Sequence, residues 1–315
     1  MKFDWLPHLP LDGSSVFLSG SVPRPERDSR FLDGPLDETL MLRVIDRRVF
    51  DAVQSLVAQV LNAGGRIVHG GQPRITSAIA NQANNWNIPA GSDPPIIIYQ
   101  SEFFRNQPAP PGREEMRSAG FASVRWTPVE VRAVADRFKV KPELILEWLP
   151  QQADPKANGA LREALLAMRL QMLLESQPRA AVSIGGMEGI EAEAKLYLYL
   201  TKLKLIPWAE RVNVIGSTYG ASSKLEASGI KVADYGKVHW SPPIRTQSTT
   251  RISIDSPDIP RMSPQFESRF QDQDIKPKRP VTGPSKQTAK RDIQDRISYD
   301  DVMCALVEDI AQRLP

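Results

Sequence analysis

Residues 180–193 read Ala180-Ala181-Val182-Ser183-Ile184-Gly185-Gly186-Met187-Glu188-Gly189-Ile190-Glu191-Ala192-Glu193. A short apolar run passes through a glycine pair into a stretch whose apolar residues recur at helical spacing to about Lys204. An apolar run of strand length with no alternation marks a strand covered on both faces, and a helix following it directly marks the parallel αβ unit. The same unit recurs along the chain. Further strands are predicted over 15–19, 66–69, 95–100, 122–126 and 212–215. Helices are predicted over 41–62, 75–85, 128–138, 141–149, 158–175, 187–204 and 221–228. Strands alternating with helices predict a doubly wound α/β fold, a mostly parallel Rossmann-like sheet with helices on both faces, in a single domain over 1–239.

Four of the predicted strands end in glycine turns: Ser19-Gly20-Ser21, His69-Gly70-Gly71, Gly185-Gly186-Met187-Glu188-Gly189 and Gly216-Ser217-Thr218-Tyr219-Gly220. The carboxyl ends of parallel strands share one edge of the sheet, so the four turns are expected to converge on one crevice. Glycine lets the backbone approach a ligand closely, and the N–H groups that open the next helix can hold a phosphate. Gly20, Ser21, Gly70, Gly71, Gly185, Gly186 and Gly189 are therefore expected to contact phosphate or ribose, with ordinary turn chemistry as the plain alternative. Thr218 adds a hydroxyl donor in the last turn. The loop 101–114 enters the same crevice, where Arg105 is placed to hold a phosphate. His69 either meets a base or closes its strand. No Lys-Ser or Lys-Thr follows a glycine at P-loop spacing and GxGxxG is absent, which removes the common NTPase and dehydrogenase fingerprints.

Composition narrows the classes further. Forty Lys plus Arg against 37 Asp plus Glu leave 315 residues at +3, so charge gives no argument for nucleic acid. A single cysteine, Cys304, allows no internal disulfide, and three scattered histidines offer no zinc spacing; no metal and no cofactor are expected. The N-terminus lacks a signal-like apolar run, and no stretch of about 18 apolar residues occurs, so the expectation is a cytoplasmic protein without membrane contact. Eight of the 27 prolines fall between Pro242 and Pro284, in a stretch poor in apolar runs, which predicts an extended or disordered linker over 240–296. From Lys276 to Arg296 that stretch carries seven basic and two acidic residues. An amphipathic helix is predicted over 297–315, capped by Ser298, with Val302, Leu306 and Ile310 on one face.

The run 180–193 is similar to the proline-glycine-glycine, glycine-threonine, glutamate signature of the LOG ("lonely guy") phosphoribohydrolases and their wider SLOG superfamily. That superfamily also includes DprA/Smf-type proteins and nucleotide-sensing domains found beside TIR and sirtuin modules in bacterial immunity. Val16-Phe17-Leu18-Ser19-Gly20-Ser21 resembles the family's first phosphate turn, and Ile67-Val68-His69-Gly70-Gly71-Gln72-Pro73 its second. The resemblance spans about 14–228. Ile184 stands where the LOG enzymes have proline, Glu188 interrupts the glycine spacing, and Ile190 replaces threonine. These departures look more like the sensor branch.

What the resemblance implies is a nucleotide-derived ligand, ADP-ribose-like or cyclic, bound at the carboxyl edge of the sheet by a sensor or regulator in anti-phage or stress signalling. The signal would pass to a separate effector protein or to a homo-oligomer. The alternative it implies is a LOG-like nucleotide N-glycosidase that releases the free base, with Arg169 and Glu193 as its catalytic pair. An arginine among Leu165, Leu166, Met172 and Leu173 on one helix needs an anion in any case, either a ligand or a carboxylate such as Glu193. A DprA-like DNA-binding module is a third, minor reading, opposed by the near-neutral charge.

Overall fold

Residues buried on both sides of a strand must be covered twice, and the middle strands of this protein are of that kind. β1 (Ser15–Ser21), β3 (Ile96–Ser101), β5 (Ala180–Gly185) and β6 (Val212–Ile215) are buried along almost their whole length. β2 (Arg66–His69) is buried after its first residue. β4 (Ala122–Thr127) and β7 (Val232–Asp234) are half-exposed and carry charge, as suits strands with only one neighbour. The computed structural model describes residues 9–23, 38–83, 86, 92–146, 159–206, 211–235 and 299–313. These fall in one compact unit built from 1–240 and 298–315. The proline-rich stretch 240–296 and its basic end lie outside the described residues.

The seven strands form one parallel sheet in the order β4-β3-β2-β1-β5-β6-β7. The chain builds outward from β1 through β2 and β3 to β4, then crosses to β5 on the other side of β1 and builds outward again. The order therefore reverses between β1 and β5, which in open parallel sheets opens a crevice beyond the strand ends.

α1 (Glu38–Asn62) and α2 (Pro73–Ala83) cover one face. On the inner side of α1, Ile45, Val49, Val53, Leu56 and Val60 are fully buried at helical spacing. Its end is a Schellman motif: Gly65 N–H donates to Val60 O (2.9 Å), Gly64 N–H to Leu61 O (3.0 Å), and Gly64 takes φ +79°. α6 (Gly159–Ser176) and α7 (Glu188–Lys202) cover the other face, with α4 (Val131–Arg137) packed on α6 and α5 (Pro142–Leu146) on α4. α6 is buried around most of its circumference because it sits between the sheet and these helices. α3 (Arg113–Ser118) follows the loop after β3.

Three elements differ from the sequence reading. The predicted helix over 221–228 is a single 3-10 turn, Ser222–Lys224, followed by turns. Ser222 Oγ and Ser223 Oγ donate back to the carbonyls of Tyr219 (3.0 Å) and Gly220 (2.9 Å), a local pairing that competes with α-helix formation. β7 was not predicted, since three half-exposed residues carry no apolar run. α3 takes in the last two residues of the predicted loop 101–114 and runs on to Ser118.

The terminal helix, α8 (Tyr299–Gln312), lies against α1 and buries Val302, Met303, Leu306, Val307 and Ile310. Asp309 fastens it: Arg211 Nη2 lies 3.0 Å from the carboxylate, and the Tyr235 hydroxyl and Arg313 donate to it as well. Although partial burial opposes its charge, these donors hold the Asp309 carboxyl below the usual range. If α8 belongs to the folding unit, Leu306→Ala should cost about 2–5 kcal/mol in chemical denaturation, while Cys304→Ser on its exposed face stays within about 0.5 kcal/mol.

Candidate functional site

The register of β1 with β5 sets Gly20 beside Ile184 and Ser21 beside Gly185 at the carboxyl edge of the sheet. A cavity of about 330 Å³ opens there. Leu18, Gly20 and Ser21 of β1 and the turn His69-Gly70-Gly71-Gln72 after β2 form one side of it. Leu165, Met168 and Arg169 of α6 and Gly189, Ile190 and Glu193 of α7 form another. Gln100 at the end of β3, with Phe104 and Arg113 from the segment that follows, completes the wall.

Arg169 and Glu193 meet across the gap between α6 and α7, with Nε 3.1 Å from Oε1 and side chains only 14% and 15% exposed. The second oxygen of Glu193 accepts a hydrogen bond from Ser19 Oγ, so one carboxylate ties together β1, α6 and α7. Gly189 makes room for this pair, since a Cβ there would sit 3.0 Å from Arg169 Nη2. The guanidinium lies beside the positive end of α7, with the Glu193 carboxylate paired to it on the same wall.

Gln72 caps α2: its Oε1 accepts from Ile75 N–H (2.8 Å), and Pro73 occupies the first helical position. His69 is 1% exposed, and its Nδ1 accepts from Gly71 N–H (3.2 Å), which places the ring proton on Nε2. Burial pushes the imidazole down to about 3 from its ordinary 6.5.

Of the residues expected at the site, Gly20, Ser21, Gly70, Gly71, Gly189, Arg169 and Glu193 line this cavity, and Gly185, Gly186, Thr218 and Arg105 do not. Gly185 and Gly186 shape the turn from behind. Gly185 has φ +62°, and a Cβ on it would lie 2.4 Å from Val49 Cγ2 and 2.8 Å from Ser21 O, so packing and backbone both demand glycine. Thr218 is fully buried, its hydroxyl donating to Ile215 O (2.6 Å) and accepting from Gly185 N–H (2.7 Å). It holds the glycine turn in place and has no spare proton for a ligand. Arg105 is 57% exposed, paired with Glu102 and lying over the Trp126 ring at 5.1 Å.

The 3-10 turn Glu102–Phe104, capped by Ser101 Oγ, directs Phe104 into the cavity lining and leaves Arg105 outside. The cation that this segment does supply is Arg113, which the sequence reading missed. It is 12% exposed, paired with Glu114 at 2.7 Å and donating to Gln100 Oε1. Gly112, at φ +80°, directly precedes the short helix that opens with Arg113 and carries Glu114 and Arg117. Among the described residues no group of three or more His, Cys, Asp or Glu side chains is placed to hold a metal ion. No described helix is long and apolar enough to cross a membrane.

An imidazole that stays neutral when folded but takes up a proton near pH 6.5 when unfolded lowers stability as the pH falls from 6.5 toward 3. Between pH 7.5 and pH 5, wild type should therefore lose about 2 kcal/mol more than His69→Gln does, measured by urea denaturation at each pH.

Comparison with known proteins returns one family. A model described as the SLOG cluster3 family matches residues 46–128 and 150–239, more than half of the chain. The matched residues include the His69-Gly70-Gly71 turn, Arg169, Gly189 and Glu193. No curated protein and no solved structure matches. On this match the chain belongs to the SLOG cluster3 family.

Proposed function

We propose that this protein binds a nucleotide-derived ligand in the cavity at the β1/β5 crevice and acts as a sensor or regulator. The observation that carries the reading is the convergence of two helix N-termini and a largely enclosed arginine on one small cavity. α2 opens at Gln72-Pro73 and α7 follows its N-cap Met187, all three in the lining, and Arg169 reaches from α6 toward α7 beside them. Helix N-termini and a guanidinium together favour an anion such as a phosphate. Leu18, Ile75, Leu165 and Met168 supply the apolar surface that a base or ribose would cover.

The size of the cavity bears on the ligand. About 330 Å³ is at the lower end of the range of roughly 300–1,000 Å³ for small-molecule pockets, which suits one nucleotide unit. An ADP-ribose-like or cyclic signal would seat one such unit here and extend the rest outward. Both oxygens of Glu193 are already bonded within the protein, which favours binding over cleavage. The event would then pass to a separate effector chain or to self-assembly.

A nucleotide at a hundred times its dissociation constant should stabilise the protein by about 2.7 kcal/mol, a rise of roughly 5–10 °C in melting temperature. AMP, GMP, CMP, UMP and ADP-ribose form the panel. Gly70→Leu should abolish the rise, because a Cβ at Gly70 meets only Met168 Cε, at 3.1 Å, and the added side chain would fill the cavity. An equal shift in that variant would remove the cavity from consideration.

The placement of Arg169 and Glu193 on the cavity wall favours a second reading, N-glycosidic cleavage of a nucleotide. A carboxylate beneath the sugar and a cation near the leaving group would stabilise an oxocarbenium-like state. Free base released from the same mononucleotides or from NAD, detected by chromatography and lost in Glu193→Gln, would establish it. No base released at high protein concentration would dismiss it.

A further inference from the structure

We propose that His69 is the residue that reads the base of the ligand, donating a neutral Nε2–H hydrogen bond to an unprotonated acceptor on the edge of the heterocycle. This rests on the nucleotide reading above and assigns the ligand's orientation within the same cavity.

Three observations carry it. His69 forms part of the cavity lining although it is only 1% exposed. Its Nδ1 is occupied by Gly71 N–H, so the tautomer is fixed and the donor proton sits on Nε2, on the opposite side of the ring. Nε2 has no hydrogen-bond partner among the described residues. A buried donor left without an acceptor is costly, and buried polar groups in native proteins nearly always have a partner, so Nε2–H is a donor free to meet a ligand acceptor.

The surroundings decide which part of the ligand arrives. Leu18, Ile75 and Met168, each almost fully buried, share the lining with His69 and give it apolar surface. A phosphate set against those side chains would lose its water, and the cationic Arg169 and the α7 N-terminus stand on another wall. A flat heterocycle with a carbonyl oxygen or ring nitrogen toward Nε2 satisfies both the apolar contacts and the donor. Burial keeps the imidazole neutral, so it donates through the whole physiological range without adding charge. His69 thus contributes base discrimination, while Arg169 and the helix N-termini contribute affinity for the anion.

The test uses the full chain labelled with nitrogen-15 histidine, in which His69 is assigned by the signal missing from His69→Gln. The probe is whichever of AMP, GMP, CMP and UMP gives the largest thermal shift, with ribose 5-phosphate as the baseless control. The mononucleotide should displace the His69 Nε2–H signal, and ribose 5-phosphate should leave it in place. His69→Leu should weaken the mononucleotide about tenfold or more while leaving ribose 5-phosphate unaffected. If no mononucleotide shifts the melting temperature, the nucleotide reading fails and this assignment with it. If one binds but the signal stays where it was, His69 alone is dismissed from recognition. A displacement as large with ribose 5-phosphate places the donor at the sugar phosphate and overturns the base assignment.

Discussion

β1 and β5 run side by side for six residue pairs, from Val16 against Ala180 to Ser21 against Gly185. The chain leaves one strand for α1 and the other for α7, and those helices lie on opposite faces of the sheet. Two neighbouring strands whose continuations part in this way cannot close the space above their own ends. Everything that defines the site depends on this pairing: it brings Ser19 close enough to bond Glu193, and it sets Ser21 O against Gly185 so that only glycine fits there. Sliding β5 by one residue would reverse every side chain on the strand and separate the helices that face the cavity.

The walls above that pairing carry an enclosed ion pair and a buried neutral imidazole. Arg169 and Glu193 are too enclosed to be left unpaired, so each requires the other when no ligand is bound. An arriving anion would compete with Glu193 for the guanidinium, and the Ser19 hydroxyl keeps the carboxylate anchored to β1 while that happens. His69, by contrast, is kept neutral by its burial. A ligand with an anionic end and a flat neutral end matches both.

Much of this was legible in the sequence, for physical reasons that also explain the remainder. Strands such as Ile96–Ser101 are apolar on both faces and can only be interior, so the parallel sheet followed directly. Three of the four glycine turns meet at the cavity, because strand ends in a parallel sheet share an edge, and the turn 216–220 stays out of its lining. Side-chain direction within those turns was not legible. Thr218 and Gly185 belong to the turns but face inward to each other, since a turn must satisfy its own backbone groups before it can serve a ligand. Arg105 follows the 3-10 turn after β3, and Arg113 opens α3. Which of them reaches the cavity is decided by a single 3-10 turn and its serine cap, a detail that no periodicity encodes. The serines at 222 and 223 likewise read as helical positions, yet their hydroxyls bond locally and stop the helix.

The described residues break off at Tyr235 and resume at Tyr299, and Asp309 joins the two points through Arg211 and Tyr235. As a matter of chain topology, α8 is covalently continuous with β7 but holds its place on α1 by contacts alone. Severing the backbone anywhere between the two would turn an intramolecular docking into an association between two molecules. The effective concentration that now keeps α8 seated would be replaced by the actual concentration of a fragment. A cut there would thus leave a complex that persists when concentrated and loses its terminal helix on dilution.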